Sequence, residues 1–223
     1  MEELLFNFFN LEIMAKAWPT LWLGLKTTLL LALVVIPSGL ISGLAVALLY
    51  RVESPWVRWP LILYVDFFRA FPPLVLLIFI HAGLPFVGLE LSAFASVVVA
   101  YFLNNSSYYG EILRAGIESV GRGQMEAARS TGLSWLNAMA FVVVPQGVRN
   151  VLPDLLSNTV EVVKLTALAS VVALPELLYA AEMARSITYN PSPVVLAALI
   201  YLVLLWPLVR LLSRLEHRAL NLR

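Results

Sequence analysis

Four long stretches without a charged residue constrain this chain most. Each covers 20 to 24 residues, and they lie at residues 27–50, 70–89, 91–110 and 187–209. A helix needs about 20 apolar residues to cross the hydrocarbon core of a bilayer. Only 13% of the 223 residues are charged and 61% are hydrophobic, whereas about a quarter of a soluble domain is charged. The chain is therefore predicted to be an all-α integral membrane protein.

The apolar pattern predicts five transmembrane helices. Their predicted ranges are 22–49, 59–80, 91–113, 151–174 and 193–212. In the second range, Pro72 and Pro73 are expected to break the helix, because proline removes a backbone donor and clashes with the preceding turn. The apolar piece at 133–144 is too short to span a bilayer and is expected to lie at the interface.

The distribution of Lys and Arg predicts the orientation of these helices. Ten arginines fall in connections on one side, whereas only Lys16 and Arg185 fall on the other side. Cytoplasmic connections carry the excess of positive charge, so the N-terminus is predicted to be periplasmic and the C-terminus cytoplasmic. The predicted layout is a periplasmic segment at 1–19, one membrane domain at 20–212 and a cytoplasmic tail at 213–223.

The longest polar loop, on the predicted cytoplasmic side, contains a short run of good helix formers at 124–130. Gly132 follows this run, and glycine is a common residue just after a helix end. Ala127 and Ala128 have small side chains, so a partner could approach closely, and Glu126 and Arg129 offer charges. The alternative is a short amphipathic connector between two spans without a partner.

Several motifs around this loop resemble one family, the permeases of ATP-binding-cassette importers, and in particular their polar amino-acid branch. The matching motifs are Gly123-Gln124, Glu126-Ala127-Ala128, Gly132, Val144-Pro145-Gln146, Leu152-Pro153 and Lys164-Leu165-Thr166. The resemblance extends from about residue 20 to residue 212. The chain departs from the branch at Ala70-Phe71, where Gly-Thr is usual, and at Leu165 and Ala167, where polar residues are common.

The resemblance implies the transmembrane domain of a type I importer. It implies that residues 123–132 couple to a cytoplasmic ATPase dimer, that a second permease subunit completes the path, and that a periplasmic solute-binding protein delivers the solute. The implied coupling residues are Gly123, Gln124, Glu126, Ala127, Ala128, Arg129 and Gly132. ATP and Mg²⁺ would bind to the partner ATPase, because this chain has no Walker-type phosphate loop. No cofactor, metal site, catalytic group or nucleic-acid partner is expected for the chain itself, and lipid surrounds it.

Ionisable groups within a predicted span are functional candidates, because a charge at mid-membrane costs about 2.5–3.5 kcal/mol on insertion scales. Glu161 and Lys164 are three residues apart on the fourth predicted helix, and Asn158 lies one turn earlier. A neighbouring acid and base complement the ammonium and carboxylate of an amino acid. The alternative is a pair that only neutralises itself.

Weaker path candidates lie on the other predicted helices. Asp66 and Arg69 are expected to form a self-satisfied pair, although Arg69 also matches the family. Asn104 belongs to a run of small polar residues that either joins helices or lines the solute path, and Thr166 belongs to the Lys-x-Thr motif. Charges near 176–185 are expected to be solvated in an outer loop.

Together, these features predict an importer permease for polar amino acids in a bacterial cytoplasmic membrane. Two alternatives remain open. One is the same fold carrying another small polar solute, such as an opine or a compatible solute. The other is an ion-coupled carrier or channel that needs no ATPase. The sequence does not identify the solute or decide whether the second permease is an identical copy.

Overall fold

The computed structural model describes the backbone of residues 2–220 and the side chains of residue 3 and residues 6–214. Within this part of the chain all regular elements are helical, which confirms the all-α prediction. The α-helices are α1 (Glu2–Phe8), α2 (Leu11–Leu49), α3 (Pro55–Ala70), α4 (Pro73–Ile78), α5 (Ala93–Glu118), α6 (Arg122–Ser130), α7 (Trp135–Ala138), α8 (Val144–Asn150), α9 (Leu152–Leu165), α10 (Leu177–Thr188) and α11 (Ser192–Leu220). Short π-helical turns lie at Phe79–Gly83 and Met139–Val143, and 3₁₀ turns at Leu84–Val87 and Thr166–Val172.

Three helical stretches of the described residues are long and apolar enough to cross a membrane. They are Phe6–Leu49, Leu152–Val172 and Ser192–Arg214, and they correspond to the first, fourth and fifth predicted spans. The second predicted span is a pair of helices broken at Phe71–Pro72, and it counts as a span only if both parts are taken together. Phe71 is extended, at φ −80° and ψ 126°, because the following proline excludes the helical conformation. The predicted break is thus confirmed.

The third predicted span is α5. Its 26 residues have a length of about 39 Å at 1.5 Å per residue, but its polar run makes it less apolar than the other three. Length and composition therefore support three spans, or four with the broken pair. The count of five spans and the orientation of the termini stay predictions.

The helix that contains the first predicted span begins earlier than predicted, since α2 starts at Leu11 and not at residue 22. Asn10 caps it, accepting a hydrogen bond from the Ile13 N–H at 3.1 Å, as side-chain oxygens do at helix starts. Glu12 and Lys16 form an ion pair of 2.7 Å one turn apart, so these charges are compatible with a helix. The predicted domain boundary at residue 20 therefore falls inside a continuous helix.

Contacts between helices divide the chain into two compact units. Unit 1 consists of Met1–Val35, Pro73–Tyr101 and Val160–Leu211, and unit 2 of Ile36–Pro72, Phe102–Thr159 and Leu212–Arg223. The core of unit 1 joins α2, α10 and α11 through residues that are mostly small: Ala17, Leu21, Leu177, Ala181, Ala184 and Ala197. Small side chains let helix backbones approach closely, which is how membrane helices commonly pack.

Polar side chains join the helices of unit 2. Tyr109 is fully buried, and its hydroxyl forms a hydrogen bond of 2.9 Å with the Thr159 hydroxyl on α9. The Tyr64 hydroxyl on α3 bonds to Ser106 on α5. These bonds tie the unit 2 part of α5, which begins at Phe102, to both α3 and α9.

Candidate coupling surface and candidate solute path

The loop predicted to dock on a partner contains α6, a helix of nine residues with an exposed outer face. Its exposed coupling candidates are Gly123, Gln124, Glu126, Ala127 and Arg129. Ala128 is only 8% exposed and Met125 is half-buried, because a spacing of three residues places both on the inner face. A docked partner would thus meet Ala127 directly, whereas Ala128 anchors the helix in its own unit.

Gly132 lies just beyond the end of α6, as predicted. Its φ is +91°, and its N–H donates to the Arg129 carbonyl at 3.0 Å. An added Cβ would meet nothing within 4 Å, so the requirement for glycine is conformational. Residues other than glycine pay about 1–2 kcal/mol in left-handed backbone. The glycine therefore fixes where the helix ends and how the chain leaves it.

A cavity of about 590 Å³ lies beside α6 in unit 2. Its lining includes the apolar side chains of Trp135, Met139 and Val143, together with charges of both signs at Arg51, Glu53, Glu118, Arg122 and Glu126. Interfaces commonly combine an apolar centre with a polar rim. The lining of this cavity beside α6 has both of these features.

Glu161 and Lys164 form the ion pair that the sequence predicted. On α9 of unit 1, Lys164 Nζ lies 2.6 Å from Glu161 Oε1, and the two side chains are 51% and 59% exposed, respectively. In the isolated chain both side chains are therefore accessible to a solute or to a neighbouring subunit.

Asn158, on the unit 2 part of α9, has a poorly satisfied donor. Its amide nitrogen is buried and makes no hydrogen bond of good geometry among the described residues, although the amide lies close enough to the Tyr109 hydroxyl on α5 to interact with it. This position favours a contact within unit 2, and the role of Asn158 in the solute path stays a prediction.

The side chains of two other path candidates are buried inside the unit to which each belongs. Asn104 is 1% exposed, and its amide donates to the Phe68 carbonyl at 2.9 Å, which favours the helix-joining interpretation over path lining. Thr166 is fully buried and its hydroxyl donates to the Val163 carbonyl at 2.6 Å. In this conformation neither side chain is open to a solute.

Arg69 does not form the predicted pair with Asp66 among the described residues. Its guanidinium lies 4.0 Å from Glu111 on α5 and 5.6 Å from the centre of the Tyr108 ring. The long arginine side chain reaches the neighbouring helix, where a carboxylate and an aromatic face both attract it. The expectation of a self-satisfied pair on one helix was wrong.

Glu111 also belongs to a charge network that the sequence reasoning missed. Arg114 donates to Glu111 and, from its Nη1, to both oxygens of Glu118 at 2.9 Å. The Arg114 guanidinium lies 5.3 Å from the centre of the Tyr50 ring. The spacings of three and four residues on one helix were a visible signal. This network holds the last two turns of α5 before the chain enters α6.

Glu176 is the second missed residue, since the prediction of a solvated outer-loop charge was wrong. It is fully buried, and its carboxylate accepts hydrogen bonds from the Leu178 N–H at 2.8 Å, the Tyr179 N–H at 2.7 Å and the Tyr201 hydroxyl at 3.2 Å. Burial raises the pKa of Glu176 from its ordinary value, and the hydrogen bonds partly oppose this shift. Glutamate is not one of the usual N-cap residues, so the sequence carried no clear signal for this role.

Comparisons with known proteins show the family to which the chain is similar. Residues 35–221 match the family described as "Binding-protein-dependent transport system inner membrane component". The chain is 35% identical over 195 residues, 86% of each protein, to the probable amino-acid ABC transporter permease protein YckA of Bacillus subtilis. It is 36% identical to the probable glutamine ABC transporter permease protein GlnM of Bacillus subtilis, over 87% of this chain and 91% of the relative.

A solved structure is similar over nearly the whole chain. It is described as the crystal structure of an amino acid ABC transporter with histidines, and the TM-score is 0.83 at 35% identity. The similarity covers 94% of this chain and 98% of the other. The helical arrangement is therefore shared over almost the full length of both chains.

Proposed function

Because the chain belongs to the family of binding-protein-dependent transport system inner membrane components, we propose that it is the permease subunit of an ATP-driven importer of polar amino acids. Family membership makes it a multi-pass protein of the bacterial inner membrane and not an enzyme. The observation that carries the proposal is the exposed helix α6 with Gly132 at φ +91° beyond its end, combined with relatives named as amino-acid permeases over most of their length.

In the proposed cycle, α6 seats in a groove of a cytoplasmic ATPase. Gly123, Gln124, Glu126, Ala127 and Arg129 present the contact surface, while Ala128 and Gly132 fix the position of the helix. ATP binding closes the ATPase dimer, and α6 transmits this movement to the membrane helices. ATP and Mg²⁺ act in the partner. This chain receives the movement of the ATPase through α6 and does not hydrolyse ATP itself.

The remaining partners follow from the same proposal. A second permease subunit, identical or homologous, completes the path, and a periplasmic solute-binding protein delivers the solute. The proposed topology has five spans, with the N-terminus in the periplasm and the C-terminus in the cytoplasm, and lipid covers the outer faces. The arginine-rich connections on one side support this orientation.

The proposed solute contact is the Glu161–Lys164 pair, with Asn158 as a further polar contact. The carboxylate would bind the solute's ammonium group and the amine would bind its carboxylate. Hydrogen bonds to charged groups contribute about 1.5–3 kcal/mol each. Glu161 favours zwitterionic or cationic amino acids. Arg69 and Thr166 are proposed to border the path in another conformation of the cycle.

Two other functions remain as alternatives. The same fold could carry another small polar solute, and the test below includes such solutes. An ion-coupled carrier would not need an ATPase, but it leaves the exposed face of α6 unexplained. Purification of the permease with an ATPase that hydrolyses ATP in response to a solute separates the proposal from this alternative.

The experiment measures ATP hydrolysis and solute uptake by the complex in lipid vesicles, with its binding protein and a panel of solutes. We expect polar amino acids to stimulate hydrolysis. Glu161→Gln and Lys164→Gln should each raise the solute concentration for half-maximal uptake about tenfold, the loss of one charged hydrogen bond. The matched control is Glu12→Gln, because Glu12 and Lys16 form a similarly exposed ion pair of 2.7 Å on α2. Equal effects of the control and the Glu161 variant would remove the ion pair from the path.

A further inference from the structure

Two glycines allow α5 and α8 to touch backbone to backbone beside the coupling helix. A Cβ added to Gly116 on α5 would lie 2.6 Å from the Gly147 carbonyl oxygen on α8. A Cβ added to Gly147 would lie 2.9 Å from the Gly116 carbonyl carbon. Real Cβ atoms essentially never approach so closely, and here the obstacle is backbone on both sides. Neither helix can therefore accept a side chain at this crossing without moving away from the other.

A hydrogen bond reinforces the same crossing just beyond the end of α5 and at the last residue of α8. The Asn150 amide donates to the Ser119 hydroxyl at 2.8 Å, and each residue lies three positions after one of the two glycines. Residues three apart share a helix face. Gly116, Gly147, Ser119 and Asn150 thus form one continuous contact between the two helices.

The same contact is connected to α6 by a short link from α5 and by a hydrogen bond from α8. Only Ser119, Val120 and Gly121 separate α5 from α6, and the Gln146 amide on α8 donates to the Gln124 side chain on α6 at 3.2 Å. Arg51, in the turn after α2, also donates to the Ile117 carbonyl near the end of α5 at 3.3 Å. The coupling helix is therefore held from both the α5 side and the α8 side.

We propose that the unit 2 part of α5 moves with α6 and α8 as one rigid body during transport, and that Gly116, Gly147, Ser119 and Asn150 are the positioning residues of this body. The proposal rests on the proposed function, because it concerns how α6 passes on the movement of an ATPase. A rigid body transmits a displacement of α6 directly to the unit 2 part of α5. A flexible crossing would absorb the displacement in the loop.

The first test compares Gly116→Ala with Gly83→Ala in the complex with its ATPase. The added methyl group forces α5 and α8 apart in the first variant, whereas at Gly83, at φ −89°, it lies in ordinary contact with the Phe79 ring at 3.8 Å. We expect Gly116→Ala to retain the ATPase and its hydrolysis but to lose about tenfold in solute transported per ATP, since overpacking displaces tightly packed backbones. Gly83→Ala should match the wild type. Wild-type transport per ATP in Gly116→Ala would overturn the proposal.

The second test does not depend on whether Gly116→Ala folds. The natural chain contains no cysteine, so Ser119→Cys and Asn150→Cys in one chain can be joined by a short bifunctional thiol reagent. A rigid body predicts that the cross-linked protein transports as fast as the same protein with blocked, unlinked thiols. A specific loss of transport after cross-linking shows that α5 and α8 must separate, and it overturns the proposal.

The proposed function can fail independently of this inference. If the wild-type complex shows no ATP-dependent uptake, the importer assignment fails and the inference fails with it. If the wild type transports and only the predicted behaviour of the two variants is not observed, the rigid body alone is refuted.

Discussion

Replacement of Glu176 by alanine is expected to destabilise unit 1 by about 2–4 kcal/mol. The buried carboxylate accepts three hydrogen bonds: two from the first turn of α10 and one from Tyr201 on α11. Each donor left without a partner costs about 1 kcal/mol or more, and loss of a helix cap alone costs about 0.5–2 kcal/mol. Alanine also removes the cost of burying an ionisable group, which offsets part of this loss. The expected destabilisation is therefore smaller than the sum of the largest values for the separate contributions.

Glu176→Gln is the matched variant, because its amide oxygen still caps the helix while one acceptor is lost. Its cost should be about 1 kcal/mol, that of a single hydrogen bond. The assay is thermal unfolding of the purified complex in nanodiscs. For a chain of this size 1 kcal/mol shifts the midpoint by about 2–4 °C, so the alanine variant should unfold several degrees below the glutamine variant. Equal midpoints for the two variants would show that the carboxylate does not hold α10 in place.

Three further predictions follow from individual contacts. Burial raises the pKa of Glu176, so its protonated form stabilises the folded protein at low pH. This stability should be lost as pH rises above about 4.5, the ordinary pKa, and through the raised pKa. Glu176→Gln should flatten this dependence of the unfolding midpoint on pH, and parallel pH curves for the variant and the wild type would contradict the prediction. Gly132→Ala should cost about 1–2 kcal/mol of local strain and lower uptake, whereas Gly132→Asn should be milder because asparagine tolerates left-handed backbone; identical uptake by both variants would argue against the conformational role. Asn104→Ala should lower the unfolding midpoint by the loss of about 1 kcal/mol, since the Phe68 carbonyl loses its donor, and should leave the solute affinity unchanged; a changed affinity at unchanged stability would place Asn104 in the solute path instead.

The sequence predicted well the features that depend on neighbouring residues. The stop at Gly132 and the break before Pro73 are both decided locally, by the conformations that glycine permits and proline forbids. The Glu161–Lys164 pair also followed from sequence, because helical periodicity alone places residues three apart on one face. The motifs of the polar loop likewise led to the family that the comparisons show.

Local patterns could not predict which partner a polar side chain finds on another helix. Arg69 was expected to pair with Asp66 on its own helix, but it lies near Glu111 on α5. Glu176 was expected in solvent, but it is buried against Tyr201, which lies 25 residues later in the chain. Both outcomes depend on which helices pack together, and hydropathy and spacing along one helix do not contain this information.

By itself, the sequence determined the helical class, the apolar stretches, the helix breaks and the loop that resembles a coupling motif. The tertiary structure decided that Ala128 faces inward while Ala127 faces outward, that Asn104 joins helices and that Gly116 meets Gly147. The physical reason is the range of the interactions. Backbone conformation and transfer into a bilayer depend mainly on each residue and its near neighbours. Close packing instead requires two surfaces distant in sequence to fit each other, so the contacts that hold the coupling helix appear only when the helices are assembled.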